Sequence, residues 1–212
     1  GYIGLEVAAS LTKLGLRVDV IEMADRLLAR VASPQISAFF AELHQSHDVG
    51  LHIGANCQEI LQKDGAFTGV QLDDGRQIAA ELLLVGIGVL PDLDLAASAG
   101  IEAGNGILVD AMMQSSVQDI FAIGDVALID GAALRIESVD NAQTTAARAA
   151  AAICGLAQPA MAAPWFWSEQ FDVRLQSAGI VPLASPDLRH QLRPGKREGG
   201  FSVWSYGDNG KL

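Results

Sequence analysis

Two glycines and an acidic residue near the start of the sequence have the spacing of a phosphate-binding turn and a ribose-binding carboxylate. Gly1 and Gly4 open an apolar helical segment, and Glu22 stands at the tip of the short strand that follows. They match the second and third glycines of a G-x-G-x-x-G fingerprint with an acid about 20 residues further on. The glycines let the backbone approach a pyrophosphate at the helix N-terminus. A carboxylate at Glu22 would bind ribose hydroxyls and repel an extra phosphate, which favours NAD over NADP. A plain tight turn into a helix is the alternative.

Two further segments could hold a ligand at the end of a secondary-structure element. Asp125 follows the apolar run Ile120–Ile123 and Gly124. Its carboxylate would therefore stand at the carboxyl end of a strand, where open α/β sheets bind ligands, and it could accept hydrogen bonds from a polyol. Residues 137–142 lead into an Ala-rich helix whose N-terminus could stabilise an anionic ring system. The alternatives are an aspartate that caps the next turn and a capped helix without function.

Aromatic residues and histidines give weaker signals. Trp165 and Trp167 could stack on a planar ligand, although packing in a core or between domains is the alternative. The spacing of three histidines, at positions 44, 47 and 52, matches no standard metal site. We interpret them as part of a solvated helix face and the loop after it, and we expect no metal site.

The composition excludes several classes of protein. The chain has 212 residues, of which 50% are hydrophobic and 18% are charged, so it can bury a sizeable core. Its net charge of −11 makes nucleic acid a poor partner. No apolar run reaches the roughly 18 residues that indicate a transmembrane helix, which suggests a cytoplasmic protein. Cys57 and Cys154 form no CxxC pair and are interpreted as buried in a reducing cytosol.

The pattern of apolar residues predicts helices alternating with short strands. Ser33 and Pro34 begin a helix with one apolar face formed by Ile36, Phe39, Phe40 and Leu43. An earlier helix extends from the glycine turn to about residue 14, and a later one covers Asn141–Cys154. The predicted strands cover residues 17–21, 51–53, 58–62, 67–72, 77–85, 107–110 and 120–123, with a hairpin turn at 73–75. Within them, Leu82–Val85 is a continuous apolar run, as expected for a strand buried on both faces.

Five strings, taken in order, resemble one family. They are Gly-Tyr-Ile-Gly-Leu-Glu-Val-Ala-Ala (1–9), Val-Gly-Ile-Gly-Val-Leu-Pro (85–91), Phe-Ala-Ile-Gly-Asp-Val-Ala (121–127), Arg-Ile-Glu-Ser-Val-Asp-Asn-Ala (135–142) and Pro-Trp-Phe-Trp-Ser-Glu-Gln (164–170). Together they resemble the FAD-dependent, NADH-oxidising ferredoxin reductases of bacterial dioxygenase and cytochrome P450 systems, within the pyridine nucleotide-disulfide oxidoreductase superfamily. The glycine string marks the broad superfamily, whereas the tryptophan-rich string selects this branch.

The resemblance implies an α/β fold with two interleaved Rossmann-like domains that bind FAD and NAD, a three-layer architecture with a β-meander, and the start of an α+β C-terminal domain. On that template, residues 1–90 are the NAD-binding domain without its first strand. Residues 91–158 are the second segment of the FAD-binding domain, and residues 159–212 begin the C-terminal domain. Both ends resemble truncations, because the first fingerprint glycine and the first FAD segment do not precede Gly1. We therefore expect the isolated chain to be inactive or barely stable.

The resemblance also implies a role for each residue that matches a family motif. Gly1 and Gly4 would line the NAD pyrophosphate, and Glu22 would hold its ribose. The other implied positions are Glu6 close to the nicotinamide, Gly86 and Gly88 at the nicotinamide end, Asp125 on the FAD ribityl chain, the Val139 backbone at the flavin pyrimidine edge and Trp167 near the flavin.

The implied reaction passes hydride from NADH to FAD and then single electrons to a ferredoxin-type iron–sulfur protein. No side-chain acid, base or nucleophile is expected to be catalytic. Residues 174–212 hold six Lys/Arg against three Asp/Glu, and their basic side chains could help to dock an acidic ferredoxin. These side chains belong to Arg189, His190, Arg193, Lys196 and Arg197. A solvated hairpin around Pro194-Gly195 is the alternative.

Two other functions remain open at the level of sequence. A related NADH-dependent flavoprotein could reduce a small oxidant or a disulfide, and a CxxC pair upstream of Gly1 would favour it. The chain could also be a non-catalytic NAD-binding fragment that cannot retain FAD. The sequence does not identify the electron acceptor, the downstream oxygenase or the oligomeric state.

Overall fold

The computed structural model of the protein describes residues 1–180 and 188–207. The helices in these residues are α1 (Tyr2–Lys13), α2 (Pro34–Ser46), α3 (Asp94–Ser98) and α4 (Val139–Ile153). The strands are β1 (Asp19–Glu22), β2 (Gly50–Ile53), β3 (Cys57–Lys63), β4 (Ala66–Leu72), β5 (Gln77–Ala79), β6 (Ala103–Gly104), β7 (Gly106–Val109), β8 (Ala127–Ile129), β9 (Trp165–Gln170), β10 (Val173–Ala178), β11 (Arg189–Pro194) and β12 (Phe201–Tyr206). None of the helices in these two ranges is long and apolar enough to cross a membrane.

The described residues form two compact units. The first contains Gly1–Ile87, Ser168–Arg174 and residues 188–207, and the second contains Gly88–Trp167 and Leu175–Ile180. Each unit has apolar clusters of its own, so each is described separately below.

The first unit begins with alternating helices and strands. β1 and β2 pair in parallel, with Val20 opposite Leu51, and α2 connects them. Parallel neighbours need such a crossover, because a tight turn can join only antiparallel strands. A small apolar cluster beside them is centred on Ala9, Val49 and Phe171. Glu22 is the last residue of β1 and lies at the carboxyl end of this parallel pair.

Helix α2 confirms the predicted start and apolar face. The Ser33 hydroxyl accepts a hydrogen bond from the Ile36 N–H, and Pro34 occupies the first helical position. Phe40 is only 1% exposed, and Phe39 packs edge-on against Phe201 with 5.1 Å between ring centroids. The spacing of the apolar residues thus fixed both the element and its buried face.

An antiparallel meander, β3–β4–β5, completes the strands of the first 87 residues. The predicted turn at 73–75 is confirmed, with the Gly75 N–H bonded to the Leu72 carbonyl at 3.0 Å and Gly75 at a φ of +85°. The strand predicted over 77–85 is confirmed for Gln77–Ala79 and is wrong over Leu82–Val85. Leu82–Val85 has no strand pairing among the described residues, and Leu82 is 70% exposed. An apolar run becomes a buried strand only where neighbouring strands take its hydrogen bonds.

The second unit contains the mixed sheet β6–β7–β8 and helix α4. β7 and β8 pair in parallel, with Ile107 opposite Ala127. Their buried cluster includes Val109, Met113 and Ala149 of α4. The predicted strand over Ile120–Ile123 is wrong, because only Phe121 forms a bridge, with Gln114. This segment lies against a turn rather than against a second strand, so no ladder extends along it.

Two hairpins follow α4. β9 and β10 form a two-stranded sheet whose residues are shared between the two units. β11 and β12 form an antiparallel hairpin in which Leu192 pairs with Val203, as the turn signal at Pro194-Gly195 predicts. The basic side chains of this hairpin are exposed, apart from the half-buried His190. The sequence-based hairpin is therefore confirmed, and its docking role stays a prediction.

Candidate functional site

The glycine turn leaves open space at the N-terminus of α1. Gly1 caps the helix without a side-chain hydrogen bond, and no atom lies within 4 Å of a Cβ added at Gly1 or Gly4. The first-turn N–H groups of a helix have no partner within the helix and carry its positive dipole end. This turn can therefore accept an anionic group such as a pyrophosphate close to the backbone.

Glu22 lies beside this turn. Its Oε1 atom accepts the Ala24 N–H at 3.1 Å, and its Oε2 atom forms an ion pair with the terminal amino group of Gly1 at 3.4 Å. The side chain is 20% exposed, so its carboxylate is partly shielded but still accessible. Glu22 and the glycine turn are therefore neighbours, and their role as a dinucleotide site stays a prediction.

Gly86 also approaches the glycine turn. A Cβ added at Gly86 would lie 3.9 Å from the Gly4 nitrogen, so these two predicted residues are neighbours in the first unit. Gly88 belongs to the second unit and has a φ of +107°, which strongly favours glycine. The structure therefore brings Gly1, Gly4, Glu22 and Gly86 together at one end of α1.

Glu6 lies further along α1 and is half-buried. Its Oε1 atom accepts a hydrogen bond from the Ser168 hydroxyl at 2.6 Å. The neighbouring Tyr2 is also half-buried, and burial raises the pKa of Tyr2 to about 12. The Tyr2 phenol is therefore neutral at physiological pH. The Glu6 carboxylate, in contrast, is held by the Ser168 hydroxyl.

The predicted Gly-Asp motif forms a tight turn in the second unit. Gly124 has a φ of +68°, its N–H bonds to Thr145 Oγ1 at 2.9 Å, and an added Cβ would lie 3.7 Å from Ala142 Cβ. Asp125 follows in the same turn of 3₁₀ helix, with an exposed side chain, and its carbonyl accepts from Arg135 Nη1. The carboxylate is free to bind hydroxyl groups, and the glycine lets the turn pack against α4.

Helix α4 begins at Val139, two residues before the predicted start. The Ser138 hydroxyl caps it by accepting the Asn141 N–H at 3.1 Å, and Asn141 Nδ2 donates to the Ile136 carbonyl at 2.7 Å. Val139 is the first helical residue and is 54% exposed. Its N–H belongs to the first turn, which makes it a suitable donor to an acceptor outside the helix.

The two tryptophans of the aromatic string stack on each other. The ring centroids of Trp165 and Trp167 are 4.9 Å apart, with an interplanar angle of 27°. The Trp165 N–H donates to Asp140 Oδ2 at 3.3 Å, which ties β9 to the start of α4. Both rings are half-buried, so they form a rigid aromatic surface next to the helix N-terminus.

The three histidines lie in different environments. The residues that the structure describes contain no group of three His, Cys, Asp or Glu side chains placed to hold an ion. The interpretation of all three as solvated is wrong for His44, which is fully buried and bonds to Gln170 Oε1 at 2.9 Å. Cys57 and Cys154 are free and exposed, so their predicted burial is wrong as well.

No pattern in the sequence indicates that Ser168 contacts Glu6 or that Gln170 contacts His44. More than 120 positions separate the strand β9 residues from their partners on α1 and α2. Ser168 and Gln170 occupy alternate positions of β9, which is the period that places two side chains on one face of a strand. This alternation indicates that Ser168 and Gln170 share a face of β9, but it does not identify the residues that they contact.

The chain matches proteins of known family and structure. Residues 1–146 match the family described as pyridine nucleotide-disulphide oxidoreductase, and residues 165–212 match the reductase C-terminal family. The chain is 46% identical over 188 residues to the 5,5'-dehydrodivanillate O-demethylase ferredoxin reductase subunit of Sphingobium sp., which covers 85% of this chain and 45% of that protein.

Two solved structures are similar over nearly the whole chain. The ferredoxin reductase for the CYP199A2 system from Rhodopseudomonas palustris has a TM-score of 0.90 at 39% identity, covering 98% of this chain and 52% of that one. The covalent putidaredoxin reductase–putidaredoxin complex has a TM-score of 0.88 at 36% identity, covering 97% and 50%. The chain thus spans about half the length of the relatives it matches.

These matches confirm the predicted resemblance and the α/β fold class, including a C-terminal reductase domain. The family match extends over residues 1–146, which include the glycine turn, Glu22 and the Gly-Asp motif. The chain belongs to the pyridine nucleotide-disulphide oxidoreductase family.

Proposed function

We propose that this protein, at its full natural length, passes electrons from NADH through FAD to a ferredoxin-type iron–sulfur protein, as the reductase component of an oxygenase or cytochrome P450 system. The observation that carries the proposal is the glycine turn at the start of α1 followed by Glu22 at the end of β1, within the family match over residues 1–146. The names of the relatives, which are ferredoxin reductases, support the acceptor.

The first unit would bind NADH. The backbone at Gly1 and Gly4 would receive the pyrophosphate, because the space beside both glycines is open and the dipole of α1 favours an anion. Glu22 would accept hydrogen bonds from the ribose hydroxyls. Gly86, which lies beside Gly4, and Gly88 would border the nicotinamide end. These residues fit NADH because the backbone N–H groups can bind its pyrophosphate and the Glu22 carboxylate can bind its ribose hydroxyls.

Glu6 would act at the nicotinamide end. A nicotinamide ring becomes positively charged when it gives up a hydride, and a nearby carboxylate stabilises that charge more in the transition state than in the neutral ground state. The half-buried position of Glu6 strengthens this effect, because partial burial lowers the effective dielectric constant. Glu6 therefore contributes electrostatically and does not transfer a proton.

The second unit would bind FAD. The exposed Asp125 carboxylate suits the hydroxyls of the ribityl chain, and the Val139 N–H at the start of α4 suits the pyrimidine edge of the flavin. Trp167 would pack near the flavin. When bound, FAD supplies the chemistry of hydride acceptance and single-electron release. The protein contributes binding, orientation and the positive end of the α4 dipole, so no acid, base or nucleophile of this chain is needed.

The domain assignment is part of the same proposal. We assign residues 1–90 to the NAD-binding domain, 91–158 to the FAD-binding domain and 159–212 to the C-terminal domain. We also place the protein in the cytoplasm, because Cys57 and Cys154 are free and exposed, which suits a reducing compartment.

The proposed acceptor is tested by comparing electron acceptors. Purified full-length protein with FAD is mixed with NADH and a [2Fe–2S] ferredoxin, and reduction of the ferredoxin is followed by its visible absorbance. We expect rapid reduction of the ferredoxin and of ferricyanide, and none of a disulfide substrate. Reduction of a disulfide without reduction of any ferredoxin would contradict the proposal and favour a disulfide reductase.

The basic β11–β12 hairpin predicts a charge effect on this acceptor. Lys196 and Arg197 are exposed at its turn, so the double change Lys196→Glu and Arg197→Glu reverses charge there. We expect ferredoxin reduction to slow by about tenfold at low salt, because charge complementarity mainly raises the association rate. Ferricyanide reduction should stay unchanged. Equal effects on both acceptors, or no effect at low salt, would contradict docking at this hairpin.

A further inference from the structure

A buried hydrogen-bond network joins Glu6 to His44 through two residues of β9. Ser168 Oγ lies 2.6 Å from Glu6 Oε1, Gln170 Nε2 lies 3.0 Å from Ser168 Oγ, and His44 Nε2 lies 2.9 Å from Gln170 Oε1. We call these four residues the buried network. All of them belong to the first unit.

Burying the polar groups of this network costs folding free energy unless each group has a hydrogen-bond partner. Ser168, Gln170 and His44 are each 0% exposed. The His44 ring packs edge-on against Phe171, with 5.1 Å between centroids, and His44 Nδ1 is buried without a hydrogen-bond partner among the described residues. Burial lowers the pKa of His44, so the ring is neutral. One ring nitrogen thus carries a proton and the other does not.

The direction of the network follows from this constraint. With the proton on Nε2, His44 donates to Gln170 Oε1, and the Gln170 amide then donates to Ser168 Oγ. The Ser168 hydroxyl proton is left for Glu6 Oε1. The reverse direction needs the Gln170 amide turned over so that its nitrogen faces His44, and it would bury an N–H on Nδ1 without an acceptor among the described residues. It would also place two acceptor oxygens of Ser168 and Glu6 2.6 Å apart unless Glu6 were protonated.

Every donor in the buried network therefore points towards the Glu6 carboxylate. Glu6 is only half-buried, whereas its three partners are fully enclosed, so the network ends at the one member that solvent or a ligand can reach. A carboxylate that accepts a hydrogen bond from a fixed, buried donor is held in one orientation. Neighbouring hydrogen bonds in a chain polarise one another, which strengthens this effect.

We propose that Ser168, Gln170 and His44 are positioning residues that hold the Glu6 carboxylate towards the nicotinamide end of the NADH site. This inference rests on the proposed function, because it needs Glu6 to lie at that end. Ser168 acts directly on the carboxylate. Gln170 fixes the hydroxyl of Ser168, and His44 fixes the amide of Gln170. The specific consequence is a preference for the cationic ring of NAD⁺, since a fixed carboxylate attracts NAD⁺ more than the neutral ring of NADH.

Nucleotide affinity tests this proposal without relying on turnover. The dissociation constant of NAD⁺ is measured by calorimetry on the oxidised full-length protein with FAD, and that of NADH on the reduced protein. We expect Ser168→Ala to weaken NAD⁺ binding by about tenfold, because one hydrogen bond to a charged group is lost. NADH binding should change by less than about twofold, because its ring carries no charge for the carboxylate to attract.

Two further variants separate positioning from a structural role. Ser10 Oγ donates to the backbone carbonyl of Glu6 at 2.8 Å, so Ser10→Ala removes a hydroxyl from the same helix without touching the carboxylate. It should leave both constants unchanged. In a Glu6→Gln background, Ser168→Ala should have no further effect on NAD⁺ affinity, because a positioning residue acts only through its target. Gln170→Glu keeps the side-chain shape but accepts the Ser168 proton, so it should weaken NAD⁺ binding in the same way.

The outcomes distinguish this inference from the proposed function. Wild-type protein that binds neither nucleotide would contradict the proposed function itself. Wild-type protein that binds both, with Ser168→Ala equal to Ser10→Ala, would overturn only the positioning inference. The inference would also be overturned if Ser168→Ala kept its full effect in the Glu6→Gln background. If Ser168→Ala does not fold, the Gln170→Glu variant decides the question by the same two constants.

Discussion

Replacing Asp125 with alanine is expected to weaken FAD binding by about 100-fold or more, because a carboxylate that accepts two ribityl hydroxyls makes charge-assisted hydrogen bonds of about 1.5–3 kcal/mol each. Asp125 is exposed, and its backbone carbonyl accepts a hydrogen bond from Arg135. The substitution therefore removes a ligand contact without disturbing the turn. The measurement is the dissociation constant of FAD for the full-length protein, from the recovery of free flavin fluorescence after dilution.

Asp130 provides the matched control for this prediction. It is an exposed aspartate in the same unit, and only its backbone N–H is engaged, by the Val109 carbonyl at 2.8 Å. Asp130→Ala should leave the FAD dissociation constant within about twofold of the wild type, since it removes the same charge at a place without a ligand contact. If both variants lose FAD to the same extent, general charge or stability explains the loss, and the assignment of Asp125 is wrong.

The second large effect is expected at Glu22. Glu22→Gln keeps the shape of the side chain and can still accept the Ala24 N–H, so the strand end should stay intact. The change removes a negative charge that would face the 2′-phosphate of NADPH. Such a pair at close range and moderate shielding is worth about 1–3 kcal/mol. We therefore expect the ratio of NADPH to NADH affinity to rise by about 10- to 100-fold.

The expected rise has two components that steady-state kinetics can separate. NADPH affinity should increase because the repulsion is gone, and NADH affinity should fall because neutral amides accept weaker hydrogen bonds from ribose hydroxyls. Glu42→Gln, on the exposed part of α2, is the control for the change in net charge. An unchanged preference in Glu22→Gln would place the ribose elsewhere and contradict the arrangement at the glycine turn.

Local sequence signals predicted most elements of the fold. The Ser33-Pro34 cap and the apolar spacing after it specify α2 without reference to any distant residue. The glycine turn before α1 and the strand before Glu22 follow from the same kind of short-range pattern. These elements depend on backbone propensity and on one apolar face, both of which are visible in a window of about ten residues.

The errors in the fold concern residues whose state depends on distant partners. Leu82–Val85 has the composition of a buried strand, but its pairing depends on a neighbour that its own residues do not encode. The strand expected at Ile120–Ile123 forms only one bridge, for the same reason. The interpretation of His44 as solvated is wrong, because it lies four residues after Phe40 on the buried face of α2, where Gln170 and Phe171 contact it.

In the candidate site, too, the local features were predictable and the contacts between distant residues were not. The position of Glu22 at the end of β1 was predictable, because the short apolar strand after α1 ends at this residue. The bond from Ser168 to Glu6 was not, because it joins residues 162 positions apart and depends on how β9 packs. In the structure, Trp165 and Trp167 stack on each other, and their stacking on a planar ligand stays a prediction.

The most direct test of the central claim is an anaerobic titration of the purified full-length protein with NADH and, separately, with NADPH. The flavin absorbance band at about 450 nm reports the redox state of bound FAD. We predict that NADH bleaches this band at stoichiometric amounts and that NADPH does not, because Glu22 repels its additional phosphate. A colourless protein would contradict the FAD assignment, and reduction by NADPH alone would contradict the role of Glu22.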